Sequence, residues 1–333
     1  TSLQAALMIG AKIASGQIEC GIAAGTDTTS DPPITFGKKF SSRLVKAGAA
    51  RSAKQRMRAF KGFSPSELKP VLPANGEPRT GLSMGQHCER MAREWQIARE
   101  DQDRLAMESH VKAETAYNAG FFDETVTPWS GVSRDNNIRG DSTLEKLSTL
   151  RTVFSKADDA TLTAGNSTPL TDGAASVLLA SEEWAKENKL PVQAWLTAGR
   201  TSAVDYINDE GLLMAPTVAV AEMLQRTGLS LQDFDFYEIH EAFAAQVLCT
   251  LAAWESEDYC RDRLGLDAAL GSIDRDKLNV TGSSLAVGHP FAATGARIIG
   301  NLGQILQNAG KGRGLISVCT AGGMGVAAIM ERA

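Results

Sequence analysis

An α/β fold with a long polar insertion in its first part is what this sequence predicts, on three observations. From about residue 161 to the end, short apolar runs alternate with helical patterns, the rhythm of strands and helices taken in turn. The chain has 333 residues, 43% of them hydrophobic, enough to bury a core of two or three domains or one duplicated architecture. Two stretches also look alike, Gly173-Ala-Ala-Ser-Val-Leu-Leu-Ala-Ser-Glu and Gly325-Val-Ala-Ala-Ile-Met-Glu, which suggests a weak internal repeat.

Taken in order, the chain opens on Thr1-Ser2-Leu3-Gln4, without an initiator methionine, and reads as an interior cut. Ser2 is placed to cap a helix whose small and apolar face is Leu3, Ala6, Leu7, Gly10, Ile13 and Ala14, ending at Gly16. Cys20 to Gly25 is a short run of small and apolar residues, the pattern of a strand buried on both faces. From Asp31 to Leu150 the chain is polar and irregular, with Pro32-Pro33, Pro65, Pro70, Pro73 and Pro78, and this reads as the insertion. It contains one clear helix from about Gly85 to Gly120 and a loop at Arg134-Asp135-Asn136-Asn137. Beyond residue 161 come a small-residue loop, an apolar run Ala174 to Leu179 and a charged helix through Trp184.

A net charge of −5 and a pI near 5.5 argue against a nucleic-acid binder, which must neutralise phosphates. The five cysteines, Cys20, Cys88, Cys249, Cys260 and Cys319, are an odd number without a Cys-x-x-Cys pair. They predict no disulfide framework and suit a reducing compartment. With histidines at 87, 110, 240 and 289 they give no ligand spacing, so no metal is expected. No apolar run approaches the ~18 residues that cross a bilayer. One stretch breaks the acidic balance. Between Thr35 and Pro65 stand Lys38, Lys39, Arg43, Lys46, Arg51, Lys54, Arg56, Arg58 and Lys61, with no acid among them. Such a run is a solvated face, a site for a phosphorylated ligand, or a dock for an anionic partner or membrane.

Three segments carry reactive side chains at the end of an apolar run, where open α/β sheets build their sites. In Phe236-Tyr-Glu-Ile-His240-Glu241-Ala242-Phe243-Ala244 a strand leads into a helix expected to start near His240. The dipole of that helix would disfavour the imidazolium, leaving a neutral donor for an oxyanion, or else a capping or packing histidine. The zinc motif His-Glu-x-x-His is excluded because residue 244 is alanine. In Asn279-Val-Thr-Gly282-Ser-Ser-Leu-Ala-Val-Gly288-His289-Pro290, running on through Gly295 to Arg297, glycines permit a tight turn. Pro290 suits a first helical turn, and His289 is either aimed out of the sheet edge or structural. In Gly314-Leu-Ile-Ser-Val-Cys319-Thr-Ala321-Gly322-Gly323 a thiol meets a glycine-rich turn with backbone N–H groups open to a developing negative charge. Acyl transfer suits that combination; a buried inert cysteine is the plain alternative. Spacing alone would also allow a cysteine hydrolase using Cys319 and His289, with no third member identified.

Together the three segments, in this order, resemble the thiolase family. Its signatures have the form Asn-x-x-Gly-x-x-x-x-x-Gly-His-Pro-x-x-x-x-Gly-x-Arg, a Cys-x-Gly-Gly-Gly-like turn, and Asn-or-His-Glu-Ala-Phe. The likeness extends to Ser83-Met84-Gly85, Ser109-His110, Gly120-Phe121-Phe122, Thr163-Ala164-Gly165-Asn166-Ser167 and Asp172-Gly173-Ala174-Ala175. His240 in place of asparagine resembles the β-subunits of fatty-acid β-oxidation complexes. The resemblance implies a layered α-β-α-β-α fold of two similar halves. Residues 1–29 would end the first half, 30–160 form the inserted loop domain, 161–185 return to the first half and 186–333 form the second.

The same resemblance implies the chemistry. The acyl group would sit on a cysteine about two residues upstream of Thr1, activated by His289, with Cys319 as acid and base. One oxyanion site would use His289 and His240, the other backbone N–H groups of the upstream cysteine and of Ala321. Alanine replaces the usual glycine at 321 and works if its φ is negative. Ser283-Ser284, where a glycine pair or Gly-Ser is commoner, reads as a local packing change. Met84 and Thr197 fall where pantetheine contacts are expected, His110 is structural, and His87 and Cys88 have no catalytic role. Coenzyme A enters as substrate, with no further cofactor. A homodimer or higher oligomer, a hydratase/dehydrogenase partner subunit, and a bacterial cytoplasmic or mitochondrial-matrix location, not secretion, are expected. Thiolysis of 3-ketoacyl-CoA leads; an acetoacetyl-CoA-forming thiolase and a non-catalytic acyl-CoA-binding subunit are the rivals.

Overall fold

The computed structural model describes residues 1–208 and 210–333 and divides into two compact units, Thr28–Asn75 and the remainder. The larger unit begins with α1 (Ser2–Ala14) and β1 (Cys20–Asp27). The smaller holds β2 (Thr35–Phe36), α2 (Lys38–Gly48), α3 (Ala53–Ala59) and β3 (Pro70–Val71). The larger resumes with α4 (Met84–Glu94), α5 (Arg99–Asn118), α6 (Leu144–Ser148), β4 (Gly173–Ala180), α7 (Glu182–Glu187) and β5 (Trp195–Ala203). There follow α8 (Ala215–Thr227), β6 (Phe236–Ile239), α9 (Ala244–Glu255), α10 (Glu257–Asp262), α11 (Ser284–Val287), α12 (Thr294–Ala309), β7 (Gly312–Thr320) and β8 (Met324–Arg332).

In the larger unit β1 and β4 pair antiparallel, and a second sheet runs β5-β8-β7-β6, with β6 and β7 parallel. Helices α1 and α12 pack between the two sheets, while α8 covers the other face of the four-stranded one. The order sheet, helices, sheet, helices follows the layering expected from the resemblance. The middle layer is held by one apolar cluster, in which Leu3 and Ala6 of α1 meet Ile298, Leu302 and Leu306 of α12 and Ile316 and Val318 of β7. Gly173 and Gly325, the starts of the two look-alike stretches, stand at or next to the first residue of β4 and β8. Among the described residues no helix is long and apolar enough to cross a membrane.

Several expectations are corrected. Ser2 does not cap its own helix: its Oγ bonds Ala292 O and accepts from Ala296 N at 2.7 Å. It thus satisfies an orphan donor in the first turn of α12 and ties the two helices together. β1 is not buried on both faces, since Ala23 faces the helices while Ile22, paired in register with Leu178, is exposed. The helix expected over 85–120 is two helices, because Gln96 takes φ 53 and Trp95 turns to pack edge-on against Tyr259.

In the smaller unit Phe36, Phe40, Phe60 and Phe63 form an aromatic knot. Arg43 pairs with Glu67 and donates to the carbonyls of Ala59, Lys61 and Gly62. One base of the basic run is therefore a structural pin, which leaves the other eight for the solvent or a ligand.

Candidate active site

The parallel pair β6 and β7 brings two of the three segments together at its carboxyl end, as the sheet rule requires. His240 follows the last residue of β6 and donates its backbone N–H to Ser317 O at 2.8 Å. Cys319 is the next-to-last residue of β7. The third segment is stitched on by residues 167–170. Ser167 bridges Phe243, Thr168 N donates to Ala242 O, and Leu170 bridges His289, whose N–H donates to Pro169 O. Gly288 precedes that histidine with φ +91, a conformation that lets the chain turn so close to Thr171 that a Cβ would lie 2.4 Å from its side chain.

The result is an imidazole pair, with the ring centroids of His240 and His289 4.3 Å apart and their planes at 49°. Nδ1 of His240 lies 2.8 Å from Ser284 Oγ, and Nδ1 of His289 lies 2.6 Å from Thr294 Oγ1. His240 Nε2 is buried and has no partner within the protein. Burial, then the neighbouring His289 and Arg297, hold His240 well below the ordinary histidine range. Burial and Arg297 hold His289 at about 4. Both rings are thus neutral near pH 7. The expected cause was a helix dipole, and that is corrected: α9 begins only at Ala244, after a bend over 240–243, so His240 is not at a helix start. Pro290 likewise precedes α12, with Ala293 N closing a turn onto Pro290 O.

Cys319 is 6% exposed, in an apolar cluster with Met91, Leu162, Met214, Ala242 and Phe243, and Met84 packs against that cluster. Burial pushes its thiol up to about 12, so it carries its proton at neutral pH. Ala321 opens the short turn to Gly323, where its N–H has no acceptor in the turn itself. It is not among the non-glycine residues with positive φ, so alanine is accommodated there. Glu77 fixes that turn by accepting from Gly322 N at 2.8 Å and from the Tyr206 hydroxyl at 3.2 Å.

Thr197 stands apart from the reactive side chains. It lies at a register shift in β5 with Oγ1 donating to Ile329 O, five residues from Ser202, the β5 residue in register with the β8 neighbour of Cys319. At ~3.3 Å per residue that is roughly 16 Å away along the strand. His110 accepts from Arg139 N at 3.1 Å, and His87 bonds Thr80 Oγ1, both structural arrangements. Thr294 and Glu77 were given no role from the sequence, where Arg297 had stood out only as part of a motif and Ser284 only as a packing change. A cavity of about 1390 Å³ runs along β4 and α12 and reaches Gly288, Pro290 and Arg297 but none of the reactive side chains. Among the described residues no cluster of His, Cys, Asp or Glu could hold a metal ion.

The buried histidines have a consequence for stability. His110 and His289 are each held at about 4 against an ordinary 6.5, chiefly by burial. The unfolded chain therefore binds protons that the folded chain refuses. Their contribution is complete above pH 6.5 and is lost as pH falls from 6.5 to 4, about 3 kcal/mol apiece by the lower limit. These two groups should contribute an uptake of about two protons on urea unfolding between pH 6 and 5, to which His240, held well below its ordinary range, adds; a stability flat across that window would contradict the assignment.

The comparisons with known proteins show the family. Residues 1–183 match the thiolase N-terminal domain and residues 191–332 the thiolase C-terminal domain. A 3-ketoacyl-CoA thiolase of Pectobacterium atrosepticum is 43% identical over 99% of this chain and 76% of its own length. One from Shewanella baltica is 43% identical over 99% of the chain and 77% of its own. Human mitochondrial 3-ketoacyl-CoA thiolase in complex with CoA superposes with a TM-score of 0.78 at 26% identity, covering 100% of this chain and 75% of that one. The Bacillus anthracis acetyl-CoA acetyltransferase gives 0.76 at 30% identity, over 98% and 75%. With both family domains matched along nearly its whole length and a relative 43% identical across 99% of it, this chain belongs to the thiolase family.

Proposed function

We propose that the protein is an acetyl-CoA acyltransferase that cleaves 3-ketoacyl-CoA with CoA to give acetyl-CoA and a shortened acyl-CoA, a step of fatty-acid β-oxidation. The observation that carries this reading is the pair of neutral imidazoles 4.3 Å apart beside a protonated, buried thiol at the carboxyl ends of parallel strands. The acyl group is carried on a cysteine just ahead of Thr1. The bonds of Ser2 to Ala292 and Ala296 support that placement, because they bring the start of α1 to the turn following His289.

His289, with its Nδ1–H donated to Thr294, takes the nucleophile's proton on Nε2. The thiolate adds to the 3-keto carbon, and the oxyanion is met by the Ala321 N–H and that of the nucleophile. Collapse breaks the Cα–Cβ bond. The electron pair leaves as the acetyl-CoA enolate, whose oxygen faces His240 and His289, and Cys319 protonates its carbon. The Cys319 thiolate then takes the proton of incoming CoA, whose sulfur displaces the acyl group from the enzyme, and the departing cysteine thiolate recovers its proton from His289. Met84, in the apolar cluster around Cys319, is a pantetheine contact in this reading.

Thiolysis of C4 and C16 3-ketoacyl-CoA tests the proposal. Turnover of C16 is expected; a preference for C4 with negligible C16 turnover would mean an acetoacetyl-CoA-forming enzyme instead, and no turnover of either would leave a non-catalytic acyl-CoA-binding subunit. A homodimer, and a complex with a hydratase/dehydrogenase subunit, belong to the same reading and are tested by size exclusion with the candidate subunit.

A further inference from the structure

We propose that Ser284 is a positioning residue for the reaction proposed above: clamped by Arg297, its hydroxyl donates to His240 Nδ1 and fixes the tautomer whose Nε2–H faces the substrate oxygen. The inference rests on the thiolase reading for its kinetics but not for its structure. Ser284 Oγ has two partners, Arg297 Nη2 and His240 Nδ1, each at 2.8 Å. A guanidinium can only donate, so Arg297 occupies one lone pair of the serine oxygen. The single hydroxyl proton is then free for one acceptor, and the structure offers it His240 Nδ1. Were the imidazole proton on Nδ1, both the serine proton and the Nε2 lone pair would be left buried without a partner, whereas the other tautomer strands only its Nε2–H, and a substrate oxygen removes even that cost.

The other end of the ring completes the argument. His240 is 1% exposed, its Nε2 is buried with no acceptor from the protein, and its ring is tilted at 49° to that of His289. A buried N–H donor with no acceptor is costly unless a ligand supplies one. Arg297 is buried with its Nε and Nη1 without partners, so its bond to Ser284 is its one side-chain hydrogen bond among the described residues, while the buried Glu238 acts on it through space. Ser283 shares none of this, as its Oγ is buried without a partner. Within the serine pair, only the second member has a defined donor role.

The experiment has a spectroscopic and a kinetic arm. With four histidines in the sequence, ¹⁵N-imidazole correlation spectra resolve each ring. In the wild type His240 should show the proton on Nε2; Ser284→Ala should mix in the Nδ1–H form, and Ser284→Thr, which keeps the hydroxyl, should restore the wild-type pattern. Ser284→Ala should lower kcat for thiolysis roughly ten- to thirtyfold with KM for CoA unchanged, and Ser284→Thr should recover most of the loss. In a His240→Asn background, where an amide has no tautomer to set, Ser284→Ala should cost less than threefold further. An Nδ1–H signal for His240 in the wild type, or the same kcat loss in both backgrounds, would overturn the proposal. The spectra need no substrate, so a wild type that is inactive but shows the Nε2–H form would count against the thiolase reading alone.

Discussion

Replacing Cys319 with alanine is expected to lower thiolysis by roughly two to four orders of magnitude, the range that general acid–base groups contribute. The thiol is held protonated by burial, at about 12, and is thus suited to deliver its proton to a carbanion at neutral pH. Its surroundings of Met91, Leu162, Met214 and Phe243 exclude the water that would otherwise do so unselectively. Stability should change little: deleting one sulfur from an apolar cluster costs about 1 kcal/mol at this level of approximation. A large kinetic loss with a small thermal shift therefore separates a chemical role from a packing one. The same burial makes Cys319 slow toward iodoacetamide at pH 7, since alkylation requires the thiolate. Steady-state thiolysis beside a thermal melt is the measurement; a Cys319→Ala protein within tenfold of wild type would remove this residue from the mechanism.

The parts of this site legible in the sequence are those encoded locally. Cys319 and His240 each follow an apolar run, and a strand's end can be read from the run itself. His289 stands in a Gly-His-Pro corner whose glycine announces the turn. The partners that give these groups their chemistry are not local. Ser284 reaches His240 across 44 positions, and Glu77 reaches Gly322 across 245. Hydrophobic periodicity carries no information about such pairs, because it reports which face a residue is on and not what arrives there. The surroundings of Thr197 were hidden for a related reason: at a register shift a one-residue error changes both face and neighbour, and the sequence does not mark the shift. The break near Gln96 was equally hidden. It is made by a positive φ and by Trp95 finding Tyr259, a tertiary contact that overrides a continuous helical pattern. The neutrality of His240 was anticipated and its cause was not. The bend over 240–243 separates the ring from the helix, and burial with Arg297 acts in place of the dipole.

Glu241→Ala is expected to be the most destabilising single change at the site, although this residue touches no reacting atom. Its carboxylate is 2% exposed and accepts three hydrogen bonds, from Asn279 Nδ2 at 2.7 Å, Ser109 Oγ at 2.6 Å and Leu285 N at 3.2 Å. Each ties down a different piece. Ser109 belongs to α5 and also accepts from Ser283 N at 3.0 Å; Asn279 bonds both backbone groups of Ile239; Leu285 lies in the first turn of α11, next to Ser284. Burial raises the carboxyl's pKa while these donors and Arg297 lower it, so the carboxylate depends on all of them. Alanine would strand three buried donors at about 1–3 kcal/mol each, for a total on the order of 3–9 kcal/mol before any cavity is counted. That is a large share of the 5–15 kcal/mol by which domains are typically stable. Glu241→Gln keeps the volume and two of the acceptances but turns an amide N–H toward the third donor, so it should cost roughly half as much. Because the residue acts by holding Ser284 and Ile239 in place, the glutamine variant should keep kcat within about tenfold, in contrast to Cys319→Ala. Urea denaturation of the two variants decides it: an alanine protein within 1 kcal/mol of wild type would mean that water replaces the carboxylate at this junction, and that the imidazole pair is held by its own strand and loop contacts alone.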